Sequence, residues 1–373
     1  MNQIYLDYNA STPLLPEVIE AMTPFLTKHY GNPSTTHFAA TEAKRVVNQA
    51  REQVASLLGA QKEEIIFTSG GSESNNHVIK NVFEKYQHKG KHIITTTIEH
   101  PAVREPLRYL EKFGADVTYV GVDSYGLVSV EEIEQAIRPD TILITVMHAN
   151  NEVGTIQPIE QIGKIARDKG IFFHTDAAQS IGKVPVNVKE QNVDFLSLAG
   201  HKLYAPKGVG ALYVRKGVSL DSYIHGAGHE NGLRAGTENV LLIAGLGAAC
   251  EQASQHLIQG TNVGELKSYF LSLLLQAFPN QIRVNGHPEA CLPNTLNVSF
   301  LHHIGQEILD KVPEVAASTG SACHSGEVTL SPVLKAMGVH PEDGKGTIRF
   351  SLGLQTTKEE LEKVVEFLEQ RIT

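Results

Sequence analysis

Between residues 60 and 215 the chain alternates short apolar runs with longer amphipathic segments. Seven of the runs have the length of a β-strand: EIIFTS, HIITTTI, VTYVGV, TILITVMH, GIFFHTD, VDFLSLA and GALYV. The segments between them carry a helical period of apolar positions, as in PAVREPLRYLEKFG and IEQIGKIARDKG. Strands that alternate with helices predict an α/β domain with a mostly parallel, seven-stranded sheet, and such sheets bind ligands at the carboxyl ends of their strands.

The pattern changes after residue 260. Fewer strand-like runs remain, chiefly TLNVSF and GTIRFSL, and they are mixed with helical segments. The last segment spaces Thr357 and Glu360 as a helix capping box. Its apolar face consists of Leu361, Val364, Val365, Leu368 and Ile372. We therefore expect a large domain over residues 16–260 and a smaller α+β domain that combines residues 1–15 with 261–373.

Composition narrows the classes of function. Of the 373 residues 41% are hydrophobic and 20% charged, and the net charge of −9 argues against general nucleic-acid binding. The longest apolar stretch, VLLIAGLGAAC, is far shorter than the roughly 20 residues that span a bilayer, and the start MNQIYLDYNAST has no secretory signal pattern. Three cysteines without paired spacing argue against a disulfide framework or a metal site. We expect a cytoplasmic protein without membrane, nucleic-acid or metal partners.

One lysine follows a run that is expected to enter the protein interior. VDFLSLAG leads directly into His201 and Lys202. Most lysines are solvated surface charges, and a buried lysine is costly unless it is neutral, paired or covalently used. Lys202 therefore needs a partner inside the protein.

Other strand-like runs end in polar groups that suit a ligand. FTSGGSESNN passes from strand to helix through Gly71 and Ser72, where free backbone N–H groups and a hydroxyl favour a phosphate. Further runs end at His100, at Asn151, and at Asp176 with Gln179 three residues later. Each group alone is typical of a turn, a helix cap or a structural polar residue, but together they indicate one site. The absence of a P-loop pattern and of G-x-G-x-x-G argues against a nucleotide.

Pyridoxal 5'-phosphate uses all of these groups. Its aldehyde needs a lysine, its pyridine nitrogen a carboxylate, its phosphate an anion-binding turn, and its ring a flat stacking partner. The chain offers these in Lys202, Asp176, the Gly71–Ser72 turn and His100. The sequence therefore predicts a pyridoxal-phosphate enzyme.

The motifs resemble those of the cysteine desulfurases and the related selenocysteine lyases, in the class V aminotransferase group of fold-type-I pyridoxal-phosphate enzymes. The resemblance runs along nearly the whole chain, through YLDYNASTP, YGNPSTTH, FTSGGSESNN, IEHPAV, HANNEVG, HTDAAQSIGK, GHKLYAPKGVGALYVR, GHENGLRAGTEN, GSACHSG and IRFSLG. It implies the fold-type-I transferase fold and a homodimer.

The resemblance also implies roles for individual residues. Lys202 would bind the cofactor covalently, His100 would stack on its ring, and Asp176 would pair with the ring nitrogen. The remaining cofactor contacts would come from Gly71, Ser72, Asn151, Gln179, His201 and, across the dimer, Thr237. Asn151 and Arg349 would bind the substrate carboxylate. Cys323 would be the nucleophile that removes sulfur from the substrate.

The implied reaction converts L-cysteine to L-alanine and leaves a persulfide on Cys323, which supplies iron–sulfur cluster, tRNA-thiolation or other acceptor proteins. Three alternatives remain open at this point: a selenocysteine lyase, an ordinary transaminase and a non-catalytic relative that binds a partner. Ala199 replaces a serine that is common in desulfurases, and with the ACHS motif it favours the lyase. The length of the segment around Cys323 favours the desulfurase.

Overall fold

The structure is a computed structural model that describes residues 3–324 and 327–372, with the backbone alone for residues 321–324 and 327–329. Its strands are β1 (Ile4–Tyr5), β2 (Ile65–Thr68), β3 (His92–Thr96), β4 (Asp116–Val120), β5 (Thr141–Thr145), β6 (Phe172–Asp176), β7 (Phe195–Ala199), β8 (Gly210–Val214), β9 (Ile282–Asn285), β10 (Thr295–Phe300), β11 (Val315–Ala316), β12 (Ser318–Thr319), β13 (Ser321–His324), β14 (Glu327–Leu330) and β15 (Thr347–Ser351). Its helices are α1 (Pro16–Thr27), α2 (Thr41–Leu58), α3 (Gly71–Tyr86), α4 (Pro101–Glu111), α5 (Val130–Gln135), α6 (Ile159–Lys169), α7 (Val240–Gln259), α8 (Val263–Ala277), α9 (Gly305–Lys311), α10 (Pro332–Ala336), α11 (Pro341–Lys345) and α12 (Lys358–Ile372).

The large sheet has seven strands in the order β2-β8-β7-β6-β5-β3-β4. β8 is antiparallel to both of its neighbours, and the other pairs are parallel. Six strands of this sheet lie within one of the seven apolar runs, and β4 begins at Asp116, one residue before the run VTYVGV. The prediction of a mostly parallel seven-stranded sheet is therefore confirmed.

Helices cover both faces of the large sheet, which explains why its central strands are continuous apolar runs. All five residues of β3, β5 and β7 are buried. One face packs against α3 and α4, and the other against α2, α6 and α7. Side chains alternate between these layers, so Phe195 of β7 packs with the α3 side and Leu196 with the α2 side. This leaves the strand ends as the place where polar side chains can meet.

A second sheet has the order β12-β15-β10-β9 with antiparallel pairing throughout. Its core includes residues of α8 and α12 together with Ile4 and Leu6 from the start of the chain. The capping box at α12 forms as expected: Thr357 N–H donates to Glu360 Oε2 at 3.0 Å, and Glu360 N–H donates to Thr357 Oγ1 at 3.3 Å. The five apolar residues predicted for this helix are all buried. The exact domain limits stay a prediction.

The helices of the described chain include none that combines the length and the apolar character needed to cross a membrane.

Candidate active site

A cavity of about 320 Å³ lies at the carboxyl ends of β3, β5, β6 and β7. It is lined by nine residues that the sequence predicted for the site: Gly71, Ser72, His100, Asn151, Asp176, Gln179, His201, Lys202 and Arg349. Eight of them end or follow strands of the large sheet, whereas Arg349 lies within β15 of the second sheet. The large sheet brings the eight together because its parallel strands end at one edge.

Lys202 ends a short 3₁₀ turn that directly follows β7. Its Nζ donates to the backbone carbonyls of Asn9 at 2.7 Å and Ala10 at 2.8 Å. Burial lowers the pKa of Lys202 to about 8, and the charge of Arg349 contributes in the same direction. A lysine that loses its proton this readily can react as a neutral amine, which is what an aldehyde requires.

Asp176 is the last residue of β6, and its carboxylate is held on both oxygens. Asn75 Nδ2 donates to Oδ2 at 2.7 Å, and the Ala178 N–H donates to Oδ1 at 3.0 Å. Asp176 is only 7% exposed, so its position is determined by these bonds and by the strand. A fixed carboxylate at this depth can pair with a protonated ring nitrogen.

His100 begins α4 as its N-cap, and its Nδ1 accepts the Ala102 N–H at 3.1 Å. The enclosing walls of the cavity lower the pKa of His100; Asp176 opposes this effect and Lys202 adds to it. A lowered pKa favours the neutral ring at pH 7, and a flat ring in the cavity lining is suited to stacking on a flat cofactor.

The phosphate end of the cavity is formed by the start of α3. Gly70 precedes this helix with φ 151°, and the helix begins at Gly71 and Ser72. Backbone N–H groups in a first helical turn have no partners within the helix and attract anions. His201 stands nearby with a pKa lowered to about 4, by burial and by the charges of Lys202 and Lys207. It can thus donate a hydrogen bond to a phosphate as a neutral ring.

Arg349 lies in β15 of the second sheet and reaches into the same cavity. Its Nη1 donates to the Asn151 carbonyl at 3.0 Å, and Nη2 donates to Asp7 Oδ1 at 2.7 Å. Its Nε is buried without a hydrogen-bond partner among the described residues. A buried unpaired donor is costly, so this guanidinium is suited to a ligand carboxylate.

The chain is similar to known proteins in both its sequence and its structure. The family described as aminotransferase class-V matches residues 4–364. A protein named cysteine desulfurase IscS from Dictyoglomus turgidum is 48% identical over 99% of this chain and 94% of its own length. A solved structure titled NIFS-like protein superposes with a TM-score of 0.93 at 39% identity, covering 99% and 98% of the two chains. Another, titled SspA in complex with cysteine, has a TM-score of 0.84 at 41% identity and covers 95% of this chain and 100% of its own.

The chain belongs to the class-V aminotransferase family.

The prediction of a fold-type-I pyridoxal-phosphate enzyme is thereby confirmed. The residues around the cavity have the chemical groups that pyridoxal phosphate, the cofactor of this class-V family, requires. A lysine with a lowered pKa, a fixed carboxylate, a neutral stacking ring and a helix N-terminus face one cavity. Lys202, Asp176, His100 and the first turn of α3 would hold the aldehyde, the ring nitrogen, the ring face and the phosphate.

Two further residues were predicted for the site of this class-V enzyme, Thr237 and Cys323. Thr237 lines a different cavity, together with Ser69 and Arg234. Its predicted role across a dimer stays a prediction. Cys323 belongs to β13 by its backbone, and its side chain lies outside the described residues.

Sequence reasoning missed several residues at the site, and Asn9 is the main one. It is 1% exposed, and its carbonyl accepts from both Lys202 Nζ and Gln179 Nε2. Its Oδ1 accepts from Lys183 Nζ at 3.1 Å, and Lys183 also donates to Gln179 Oε1 at 2.9 Å. Asn9 lies within the motif YLDYNASTP, but nothing in the local pattern indicates that this segment enters the site.

Proposed function

We propose that the protein is a pyridoxal-phosphate-dependent cysteine desulfurase that converts L-cysteine to L-alanine and transfers the sulfur to Cys323. The observation that carries this proposal is one cavity in which Lys202, Asp176 and Arg349 converge. This cavity occurs in a chain that is similar to cysteine desulfurases over nearly its full length. The relatives support the desulfurase over the selenocysteine lyase, because they carry the name cysteine desulfurase and one similar solved structure is titled as a complex with cysteine.

The chain's own residues bind and orient the substrate. Arg349 holds the substrate carboxylate through guanidinium N–H groups, and Asn151 lies beside it in the turn that follows β5. Lys202 moves the proton at the substrate α-carbon, for which its lowered pKa is suited. The bound cofactor supplies an electron sink for the pair released at that carbon.

Cys323 completes the reaction. Its thiolate attacks the substrate sulfur, an S–S bond forms, and the carbon–sulfur bond breaks with its electron pair remaining on carbon. Protonation of that carbon yields alanine, and Cys323 keeps the sulfur as a persulfide. The other cysteines are less suited to this role, because burial raises the pKa of both Cys250 and Cys291 and so disfavours their thiolates.

We place the enzyme in the cytoplasm as a homodimer that passes its persulfide to an acceptor protein for iron–sulfur cluster assembly or tRNA thiolation. Support for the dimer comes from large apolar side chains exposed on and after α1: Ile19, Leu26, Tyr30 and Phe38. Tyr30 and Phe38 are about nine-tenths exposed, at 89% and 91%. Side chains of this kind are typical of a surface that a second copy covers.

The test follows three products from the purified, cofactor-loaded enzyme: alanine, keto acid and enzyme-bound persulfide. Wild type should release alanine from cysteine and carry a persulfide on Cys323, and Cys323→Ala should do neither. Cys250→Ala is the matched control and should keep both activities. Release of keto acid with the aminated cofactor would establish a transaminase instead, and turnover of selenocysteine but not cysteine would establish a lyase.

A further inference from the structure

Arg349 already holds a carboxylate of its own chain. Asp7 Oδ1 accepts from Arg349 Nη2 at 2.7 Å, and the two side chains are only 19% and 10% exposed. Asp7 comes from the segment after β1, which pairs with β11, so the contact joins the start of the chain to the second sheet. A resident carboxylate therefore lies against the group that would bind the substrate carboxylate.

Ser318 closes a triangle with these two residues. Its Oγ donates to Asp7 Oδ1 at 2.9 Å and accepts from Arg349 Nη2 at 2.9 Å. Ser318 is directly opposite Arg349 in the β12–β15 pair, so the backbone register holds it in place. One nitrogen of the guanidinium is thus engaged by two acceptors of the chain, while Nε has no partner among the described residues.

Positively charged groups lie near Asp7, so its negative charge affects how tightly the cavity binds carboxylates. Burial lowers the pKa of both Lys202 and Lys183, and the positive charge of Arg349 contributes in the same direction. The polar contacts of Lys183 Nζ and Lys202 Nζ are with the neutral oxygens of Asn9, Ala10 and Gln179. A carboxylate in direct contact with this cationic group offsets part of its attraction for anions.

We propose that Asp7 and Ser318 are positioning residues that compete with the substrate carboxylate for Arg349 and so keep carboxylate binding weak enough for alanine to leave. The proposal rests on the proposed function in taking alanine as the product. Asp7 orients the guanidinium and neutralises part of its charge, and Ser318 occupies a further hydrogen bond of Nη2. Both reduce the affinity of the site for any carboxylate that enters it.

The test compares Asp7→Asn and Ser318→Ala with wild type in the cofactor-loaded enzyme. Asn keeps an oxygen that can accept from Arg349 but removes the charge, so propionate and L-alanine should bind about tenfold more tightly. Ser318→Ala keeps both charges and removes one acceptor, so binding should tighten by about threefold. Calorimetry measures the affinity for both ligands without any turnover.

Glu314→Gln is the matched control, because Glu314 also pairs with an arginine, Arg371 at 2.7 Å, but does not line the cavity. It should leave both affinities unchanged. Equal or weaker binding in a folded Asp7→Asn protein would overturn the proposal; if that variant does not fold, equal or weaker binding in Ser318→Ala would do so. If wild type binds propionate but does not turn over cysteine, the proposed function is wrong. The competition for Arg349 is then still decided by the affinities of the two variants for propionate.

Discussion

Glu99 is a buried carboxyl that should control how the stability of the protein changes with pH. It precedes His100 and is 3% exposed. Its Oε1 accepts from Thr96 Oγ1 at 2.7 Å and from the Met147 N–H at 2.9 Å, and its Oε2 has no partner among the described residues. Burial raises the pKa of Glu99 from 4.5 to about 8. The folded protein therefore keeps this carboxyl protonated at pH 7.

The sign of the effect follows from proton linkage. Between pH 4.5 and about 8 the folded state binds one more proton at Glu99 than the unfolded state does. The contribution of Glu99 to the free energy of unfolding is fully present below pH 4.5 and is lost as the pH rises from 4.5 to about 8. Each pH unit corresponds to about 1.4 kcal/mol, so a rise from about pH 5.5 to 8 would cost up to about 3 kcal/mol, and we expect about 2 kcal/mol after reorganisation.

Glu99→Gln tests this directly. The amide oxygen can replace Oε1, and the amide N–H replaces the carboxyl O–H, so the packing is kept while the titration is removed. Urea unfolding of wild type and variant from about pH 5.5 to about pH 8.5 gives the free energy of unfolding of each. The variant should gain about 2 kcal/mol relative to wild type across this range.

The control is Glu105→Gln, on the exposed side of α4, where the side chain is 55% exposed. It replaces the same functional group at an exposed position, so it should not reproduce the gain of about 2 kcal/mol. If Glu99→Gln shows a constant difference from wild type between about pH 5.5 and about pH 8.5, Glu99 does not bind the extra proton and the argument from burial fails.

Three further predictions concern the cofactor lysine, the dimer and a buried ion pair. Borohydride reduction of the loaded enzyme, followed by peptide mapping, should place the pyridoxyl group on Lys202; finding it on Lys207 would show that the wrong lysine was assigned. Mixing Lys202→Ala with Thr237→Ala subunits should restore part of the activity if Thr237 acts across the dimer, because one site of each mixed dimer is then intact; verified exchange without recovery would contradict the shared site. Arg51→Met should lower the free energy of unfolding by about 3–5 kcal/mol. The reason is that Glu230, whose side chain is only 3% exposed, loses the guanidinium that donates two hydrogen bonds to it at 2.7 Å. In a denaturant titration, a loss below about 1 kcal/mol would mean that this ion pair is no stronger than a surface one.

Much of the fold could be predicted from local pattern. The seven apolar runs correspond to the seven strands of the large sheet, because a strand that helices cover on both faces is mostly apolar. The capping box and the apolar face of α12 could also be predicted from the sequence, because both depend on the spacing of residues that are close along the chain. Residues at strand ends, such as Lys202 and Asp176, were found for the same reason: the strand before them is visible in the sequence.

The contacts that set the charge and the hydrogen-bond partners of the site residues could be found only from the tertiary structure. Asp7 and Arg349 are 342 positions apart, and Asn9 and Lys202 are 193 positions apart. No local period connects them, and the segment around Asp7 and Asn9 has no strand or helix pattern that would indicate its depth. The raised pKa of Glu99 likewise comes from burial, which depends on what packs over the carboxyl. The sequence thus determined which groups end each strand, whereas the packing of distant segments determined their charge and their partners.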